Sequence, residues 1–458
     1  MSCNSTVSKY GFFIIIVCVL LYSSFILAGE PWIIAFGGPK PDNAYSVKQT
    51  QDGGYIIAGS TQSFGAGGMD IWVLKLDSAK KLEWQKTYGQ KKSDEAYAIQ
   101  QTHDGGYVVA GVTKSSGVGH SDIWVLRLNS FGNLIWQNTY GTKNTEIGEG
   151  DRSIHETDDG GFILAGTIIY DASKDLNKLS HSDIWVLKLN ASGAIVWQNA
   201  YGASLMNVAR SIEPTRDKGY ILAGYAVSFS FFKGGNRDFL VLKLDSSGKI
   251  RWEKTYGGKD ADEAYSIQQA QDGGYIVAGG TKSFGTGNYD YWVLKLDSSG
   301  EVSWQKAYGG KEIDIARNII QTHDGGYLVS GTTNSFGAGQ DDFLLLKLDS
   351  SGKVLWQKVY GEKDSEGIFS AAQTNDEGYI LAGYTDSFGA GKTDALLLKL
   401  EEYGATGATS KYFAQGYALV SESDAKISNT IAKVTPLEFI TKDTGVVPVN
   451  SSSAISSP

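Results

Sequence analysis

Six carboxylates recur at one repeated position. Asp42, Asp94, Glu149, Asp262, Asp314 and Glu366 each stand ten residues ahead of an Asp that opens a turn, and Asn207 holds the same place once. A second set, Asp70, Asp122, Asp183, Asp238, Asp290, Asp342 and Asp394, heads an apolar run in every copy. Repeated carboxylates have two chemical uses. They can be oxygen ligands for a hard cation such as Ca²⁺, or they can accept backbone N–H groups and brace a loop. The first six are therefore candidate cation ligands, while presence in every copy argues for the brace. Arg152, Arg210 and Arg317 occupy a place where other copies have Tyr45, Tyr97 and Tyr265. A guanidinium fork there fits a ligand carboxylate or sulfate, and pairing with neighbouring acids is the plainer use. Phe229, Phe231 and Phe232 bunch with Lys233 and Arg237 in one loop where other copies read Ser-Phe-Gly. Exposed, they form a contact patch; buried, they plug the loop.

Other chemistries are missing from the chain. Its five His show no pair at metal-ligand spacing. It has no nucleophile elbow and no phosphate loop. The two Cys, Cys3 and Cys18, precede residue 30, so the body holds no disulfide and no thiol nucleophile. A net charge of −9 argues against a nucleic-acid groove, which needs a basic stripe. An acid pair from the ring could run glycoside chemistry, but nothing in the sequence marks one pair as different from the rest.

These residues are held by a repeat. An Asp-x-Gly-aromatic signal opens at Asp52, Asp104, Asp159, Asp217, Asp272, Asp324 and Asp376, with spacings of 52, 55, 58, 55, 52 and 52 residues. A period of this size marks a propeller, solenoid or array. The copy around Asp272 predicts four strands: Ala264–Gln269, Tyr275–Thr281, Tyr291–Leu296 and Glu301–Tyr308. Asp-Gly turns favour tight hairpins because Gly takes positive φ without a Cβ penalty. The middle strands are nearly all apolar, as for strands covered on both faces. The fourth alternates, and its Trp recurs as Trp84, Trp136, Trp197, Trp252, Trp304 and Trp356.

The seventh copy lacks that Trp strand. Trp32 supplies it from the other end of the chain, preceding Asp42 by the same 10 residues that separate Trp304 from Asp314. The expected fold is all-β: a seven-bladed β-propeller of four-stranded blades, with the N-terminal strand completing the last blade and removing the open edge. Residues 1–29 carry an apolar run, Gly11 to Ala28, that reads as a signal peptide or, uncleaved, as an N-terminal membrane anchor. The propeller spans 30–403, and 404–458 reads as a Ser/Thr-rich disordered tail with a strand or two near Tyr417–Val420.

The second-strand Gly-Gly, the third-strand WVLKLD and the following Trp resemble Kelch-type repeats, and DSSGKVLW (Asp349–Trp356) is similar to the tryptophan motif of quinoprotein propellers. The whole unit resembles secreted prokaryotic β-propeller repeat proteins, a resemblance that implies fold more than activity. Every insertion falls on one face and in one sector: Ile168–Asp183, Tyr225–Asp238 and Gly141–Arg152. Insertions in repeat proteins map to the binding face. The expectation is therefore a monomeric, exported, non-enzymatic scaffold. It would bind a protein or glycan through the loops of blades 3 and 4, with Ca²⁺ as the one cofactor to consider. The alternatives are an extracytoplasmic propeller enzyme, glycan-active or quinoprotein-like, and a structural cell-surface protein.

Overall fold

The computed structural model describes residues 31–147, 153–170, 181–202, 205–228 and 236–404, and seven short strands beyond them. Thirty-six strands, β1 to β36, and no helix occur among the described residues. The fold is all-β and propeller-like, a repetition of four-stranded antiparallel sheets. One unit shows the pattern: β19 (Asp262–Gln269), β20 (Tyr275–Thr281), β21 (Asp290–Leu296) and β22 (Val302–Gly309) pair in sequence order. The two middle strands are buried along their whole length, as their largely apolar runs require. In the insertion sector two such units merge into one larger sheet through a single parallel bridge, Ser182 to Met206.

The N-terminal strand β1 (Trp32–Gly37) pairs antiparallel with β29 (Asp394–Leu400), placing Trp32 opposite Lys399. It thus lies in the sheet of the last repeat, beside the strand that lacks a following Trp strand. Each fourth-strand Trp packs on the aromatic that starts the second strand of the next unit. Trp304 meets Tyr327 at 6.1 Å and Trp84 meets Tyr107 at 6.0 Å. Trp32 meets Tyr55 of the first unit at 5.6 Å in the same edge-on manner. Six of these indoles, all but Trp32, sit over a turn glycine in the left-handed region: at Gly352 (φ 77°) a Cβ would come within 2.8 Å of Trp304.

The Asp-Gly-Gly turns have a second role that the repeat pattern did not disclose. In every unit the opening Asp pairs with a cation from the third strand: Lys75, Arg127, Lys188, Lys243, Lys295, Lys347 and Lys399, at 2.5–3.0 Å. The cations are buried and most of their partners are exposed. Gly273 takes φ 87°, as a tight turn demands. Gly274 is needed for space, because a Cβ there would lie 2.2 Å from the Leu296 carbonyl oxygen and 2.6 Å from the Lys295 ammonium.

The segment expected as a disordered tail carries seven short strands, β30 to β36, between Phe413 and Ser456. Each pairs with the fourth strand of a unit. The leader lies outside the described residues, and no described helix is long and apolar enough to cross a membrane.

Candidate functional site

The innermost strands carry the sequence-predicted residues, and a β-bulge decides where they point. In β2 (Asp42–Gln49) the pairing with the second strand shifts register between Ala44 and Ser46. The same shift recurs around Tyr97, Arg210, Tyr265, Arg317 and Phe369. A bulge leaves one residue unpaired and re-aims its side chain. Here it turns one large side chain per inner strand out of the sheet. These groups touch one another across unit boundaries. Tyr45 lies 5.1 Å from Tyr97 and 4.9 Å from Phe369. Phe369 lies 5.7 Å from Tyr384. The Arg317 and Arg210 guanidinium groups sit over the Tyr265 ring at 4.4 and 5.5 Å.

At the Arg end of this aromatic chain stands a hydrogen-bonded couple. The Tyr265 hydroxyl donates to Glu263 Oε2 at 2.8 Å. Glu263 is almost fully buried, and its other oxygen accepts from Arg237 Nη1. Burial pushes the Tyr265 phenol up from its ordinary range, Arg317 pulls it back, and Glu263 adds to the rise. The phenol therefore keeps its proton at neutral pH. Arg237 also lies over the Tyr225 ring at 5.5 Å. Beside it a cavity of about 330 Å³ is lined by Ile169, His181, Met206, Arg210, Tyr225 and Arg237, among others. This cavity occupies the insertion sector. A second cavity of about 320 Å³ lies toward the other end of the inner strands and takes lining residues, from Lys48 to Gln373, from every repeat.

Of the sequence-predicted binding residues, Arg210 and Arg237 converge here. Arg152, Phe229, Phe231, Phe232 and Lys233 lie outside the described residues, as does Glu149. The place assigned to Glu149 is filled by Glu146. Its N–H donates to the Ser121 carbonyl at 2.9 Å, as Asp94 N–H does to Met69, and its carboxylate accepts from Thr142. Counting back from the turn misplaced it because the insertion lies between. Counting ten residues forward from Trp136 reaches Glu146, as ten from Trp84 reach Asp94.

The other five acids have their oxygens filled by the chain's own donors, save Asp314 Oδ1, which is buried without a hydrogen-bond partner. Asp42 accepts from Thr61 Oγ1, from Ser63 Oγ at 2.7 Å and from the Gly38 N–H at 2.8 Å. Asp94 and Asp262 repeat the set. Asp314 accepts from Ser335 and Gly310, and Glu366 from Thr385 and Glu362. Among the described residues no group of three His, Cys, Asp or Glu could hold a metal ion. The third-strand acids face these acids across each junction. Burial lifts Asp290 to about 6, with its neighbour Asp314 adding to the rise and the Gly287 and Thr286 N–H donors opposing it. Asp70, Asp238 and Asp342 are lifted to about 6 as well, and Glu146 to about 7, again chiefly by burial.

No protein-family profile matches the chain. A 226-residue stretch is 24% identical to the regulatory protein FlaEY of Caulobacter vibrioides, covering 45% of this chain and 22% of that protein. The chain thus spans about a fifth of the length of that curated relative. Similar solved structures include the NanB sialidase from Streptococcus pneumoniae, with TM-score 0.41, 10% identity, and 79% of this chain and 68% of that chain covered. They also include the α-L-arabinofuranosidase Arb93A from Fusarium graminearum, with TM-score 0.42, 9% identity, and 82% and 98% covered. Both of those proteins are enzymes, which runs against the expectation of a non-enzymatic scaffold. Likeness at this identity concerns architecture, so the chemistry has to be argued from the residues of this chain.

Proposed function

We propose that the protein is a glycan-active enzyme built on a closed seven-bladed propeller. Its reacting centre is at the Arg-rich end of the inner aromatic chain. Closure is supported by contacts that treat the last-to-first junction like the others. Trp32 packs on Tyr55. Val47 N–H donates to Ser370 Oγ, as Ile99 N–H does to Ser46 Oγ. Asn375 N–H donates to Gln49 Oε1, as Gln271 N–H does to Gln321 Oε1.

The observation that carries the activity is the Tyr265–Glu263–Arg237 relay. A nucleophile within hydrogen-bond reach of a base, which is itself held by a third group, is the arrangement that activates a weak nucleophile. Glu263 accepts the Tyr265 hydroxyl hydrogen bond, so it serves as the base, and Arg237 holds it in place. The Tyr265 oxygen attacks the anomeric carbon, the phenol proton passes to Glu263, and the glycosidic C–O bond breaks with its electron pair on the leaving oxygen, which departs as phenolate from an aryl glycoside. Water then attacks the same carbon, the Tyr265 oxygen leaves and takes its proton back from Glu263, and the proton lost by the water goes to solvent. Tyr45, Tyr97 and Phe369, half-buried on the inner strands, offer aromatic surface on which a sugar ring stacks, as expected of a concave, aromatic-lined site. Export is part of the same proposal: it rests on the apolar leader and the cysteine-free body.

The test is hydrolysis of a panel of aryl glycosides, whose phenolate leaving groups need no acid. Tyr265→Phe and Glu263→Gln are each expected to lower kcat/KM by about 10²–10⁴-fold. Full activity in Tyr265→Phe, or no hydrolysis across the panel, overturns the proposal.

A further inference from the structure

The C-terminal segment is built in the same number of units as the body, with a period of its own. Phe413, Val420, Ile427, Val434, Thr441, Pro448 and Ile455 stand every seven residues. The backbone register repeats that period. Phe413 lies opposite Tyr360, Val420 opposite Tyr308, Ile427 opposite Tyr256, Val434 opposite Tyr201 and Thr441 opposite Tyr140. Ile455 lies opposite Phe36, the residue that replaces this Tyr in β1. Pro448 is outside the described residues, and in its unit Val449 pairs with Thr87.

The order of pairing is strict. β30 (Phe413–Ala414) joins β26 (Val354–Tyr360), and β31 (Leu419–Glu422) joins β22. β32 (Lys426–Asn429), β33 (Lys433–Thr435) and β34 (Ile440–Lys442) join the fourth strands of the preceding repeats in turn. β35 (Val449–Asn450) joins β5 (Leu82–Tyr88), and β36 (Ala454–Ser456) ends on β1. The segment visits the repeats in descending order, takes each once, and finishes beside the N-terminal strand.

We infer that residues 413–456 form a seven-unit β-strap, one heptad per sheet, and that the outer edge of each sheet is its docking surface. The physical ground is the edge problem. Each fourth strand otherwise presents unpaired N–H and C=O groups, a template for pairing with other chains. A strap that adds a fifth strand satisfies part of each edge by main-chain hydrogen bonds, the mode of recognition used when an extended peptide joins a sheet. The match between a seven-residue sequence period and the register found at six units makes the strap a designed element of the chain. It also explains the composition of 404–458: short β-branched positions separated by Ser, Thr and Ala suit brief strands joined by links. The last unit adds a specific consequence. β1 lies between β29 and β36, so the two ends of the chain hold each other in one sheet.

The occupant of the edge is this chain's own tail, and the experiment uses the full chain. The body from residue 30 onward has no Cys, so introduced pairs report cleanly once Cys3 and Cys18 are replaced by Ser. Lys306 and Glu422 are register partners. Directly opposed residues in antiparallel strands lie within disulfide reach. Lys306→Cys with Glu422→Cys is expected to form an intramolecular disulfide under mild oxidation, read as a mobility shift of the monomer band and loss of free thiol. Lys254→Cys with Glu422→Cys, one sheet out of register, is expected to remain reduced. In the unsubstituted chain, amides of 419–422, 426–429 and 433–435 are expected to exchange more slowly than those of the links between them. Equal cross-linking in both pairs, a cross-linked dimer in place of the monomer, or uniform fast exchange across 413–456 overturns the inference.

Discussion

The Lys295–Asp272 pair predicts an asymmetry that ordinary ion-pair reasoning does not. Lys295 is 5% exposed, whereas the Asp272 side chain is 62% exposed. The Lys295 ammonium donates to Asp272 at 3.0 Å and to the Leu296 carbonyl at 3.1 Å. Asp272→Ala strands a buried cation, a loss of the kind that costs about 3–5 kcal/mol. It also removes the acceptor of the Gly274 N–H. Lys295→Met keeps the volume of the stem, and the abandoned carboxylate re-enters water. What remains is one carbonyl without its donor, a cost of about 1–2 kcal/mol. Asp272→Ala should therefore be the worse variant by at least about 1 kcal/mol, and the double variant should sit close to Lys295→Met alone. Urea denaturation of the three variants, followed by tryptophan fluorescence, measures this as midpoint shifts at constant slope. Equal losses in the two single variants, or a larger loss for Lys295→Met, would refute the reasoning that the buried cation sets the energetics.

Four further outcomes follow from the same geometry. Trp32→Ala is expected to destabilise by about 2–3 kcal/mol, like Trp304→Ala, because each half-buried indole closes one junction; a Trp32→Ala loss below a third of the Trp304→Ala loss in the same denaturation series would count against ring closure. Lys218 and Glu377 take φ 63° where other repeats have Gly, so Lys218→Gly should raise stability by up to about 1 kcal/mol, read as a higher urea midpoint. Asp290 is raised to about 6 from 3.8. The folded state therefore holds this proton more tightly, and the stabilisation is full below about pH 4 and lost as pH rises through 6; Asp290→Asn should flatten the fall in melting temperature between pH 4.5 and 7.5. The Asp52 carboxylate runs the other way. Burial raises it, but Thr50, Lys75 and the Gly54 N–H bring it down to about 2, so its contribution is present above pH 4 and fades toward pH 2. Asp52 is more than half exposed, so solvent screening keeps its own pH-dependent contribution small, and the buried Lys75 retains Glu83 at 3.2 Å when Asp52 is neutral, so Asp52→Asn should leave the acid limb of the melting curve nearly unchanged.

Much of the fold was legible because the repeat writes its own strands. Alternation in Val302–Tyr308, largely apolar runs in Tyr275–Thr281 and Tyr291–Leu296, and Asp-Gly turns between them are local patterns, and the strands fall where they were read. Even the pairing of β1 with β29, at opposite ends of the repeat region, followed from the ten-residue offset after Trp32. The site was less legible. Arg210 and Arg237 could be picked out as departures from the repeat, but Tyr265 and Glu263 belong to the plain copy and looked like scaffold. Their role depends on a bulge at Tyr265 and on Arg317 of the next unit and Arg237 of the previous one, which stand 52 and 28 residues away in sequence.

The sequence alone therefore determined the unit, its strands and the partner of the N-terminal strand. Those depend on side-chain alternation and turn chemistry within some fifty residues. Tertiary structure decided which carboxylate fills the third acidic position, which cations the turn aspartates hold, and where the tail lies. It also decided that Tyr265 faces Glu263 between two guanidinium groups. Each of these depends on what packs across a junction between units, and a one-residue bulge or a three-residue insertion moves that contact without changing the period by which the units are recognised.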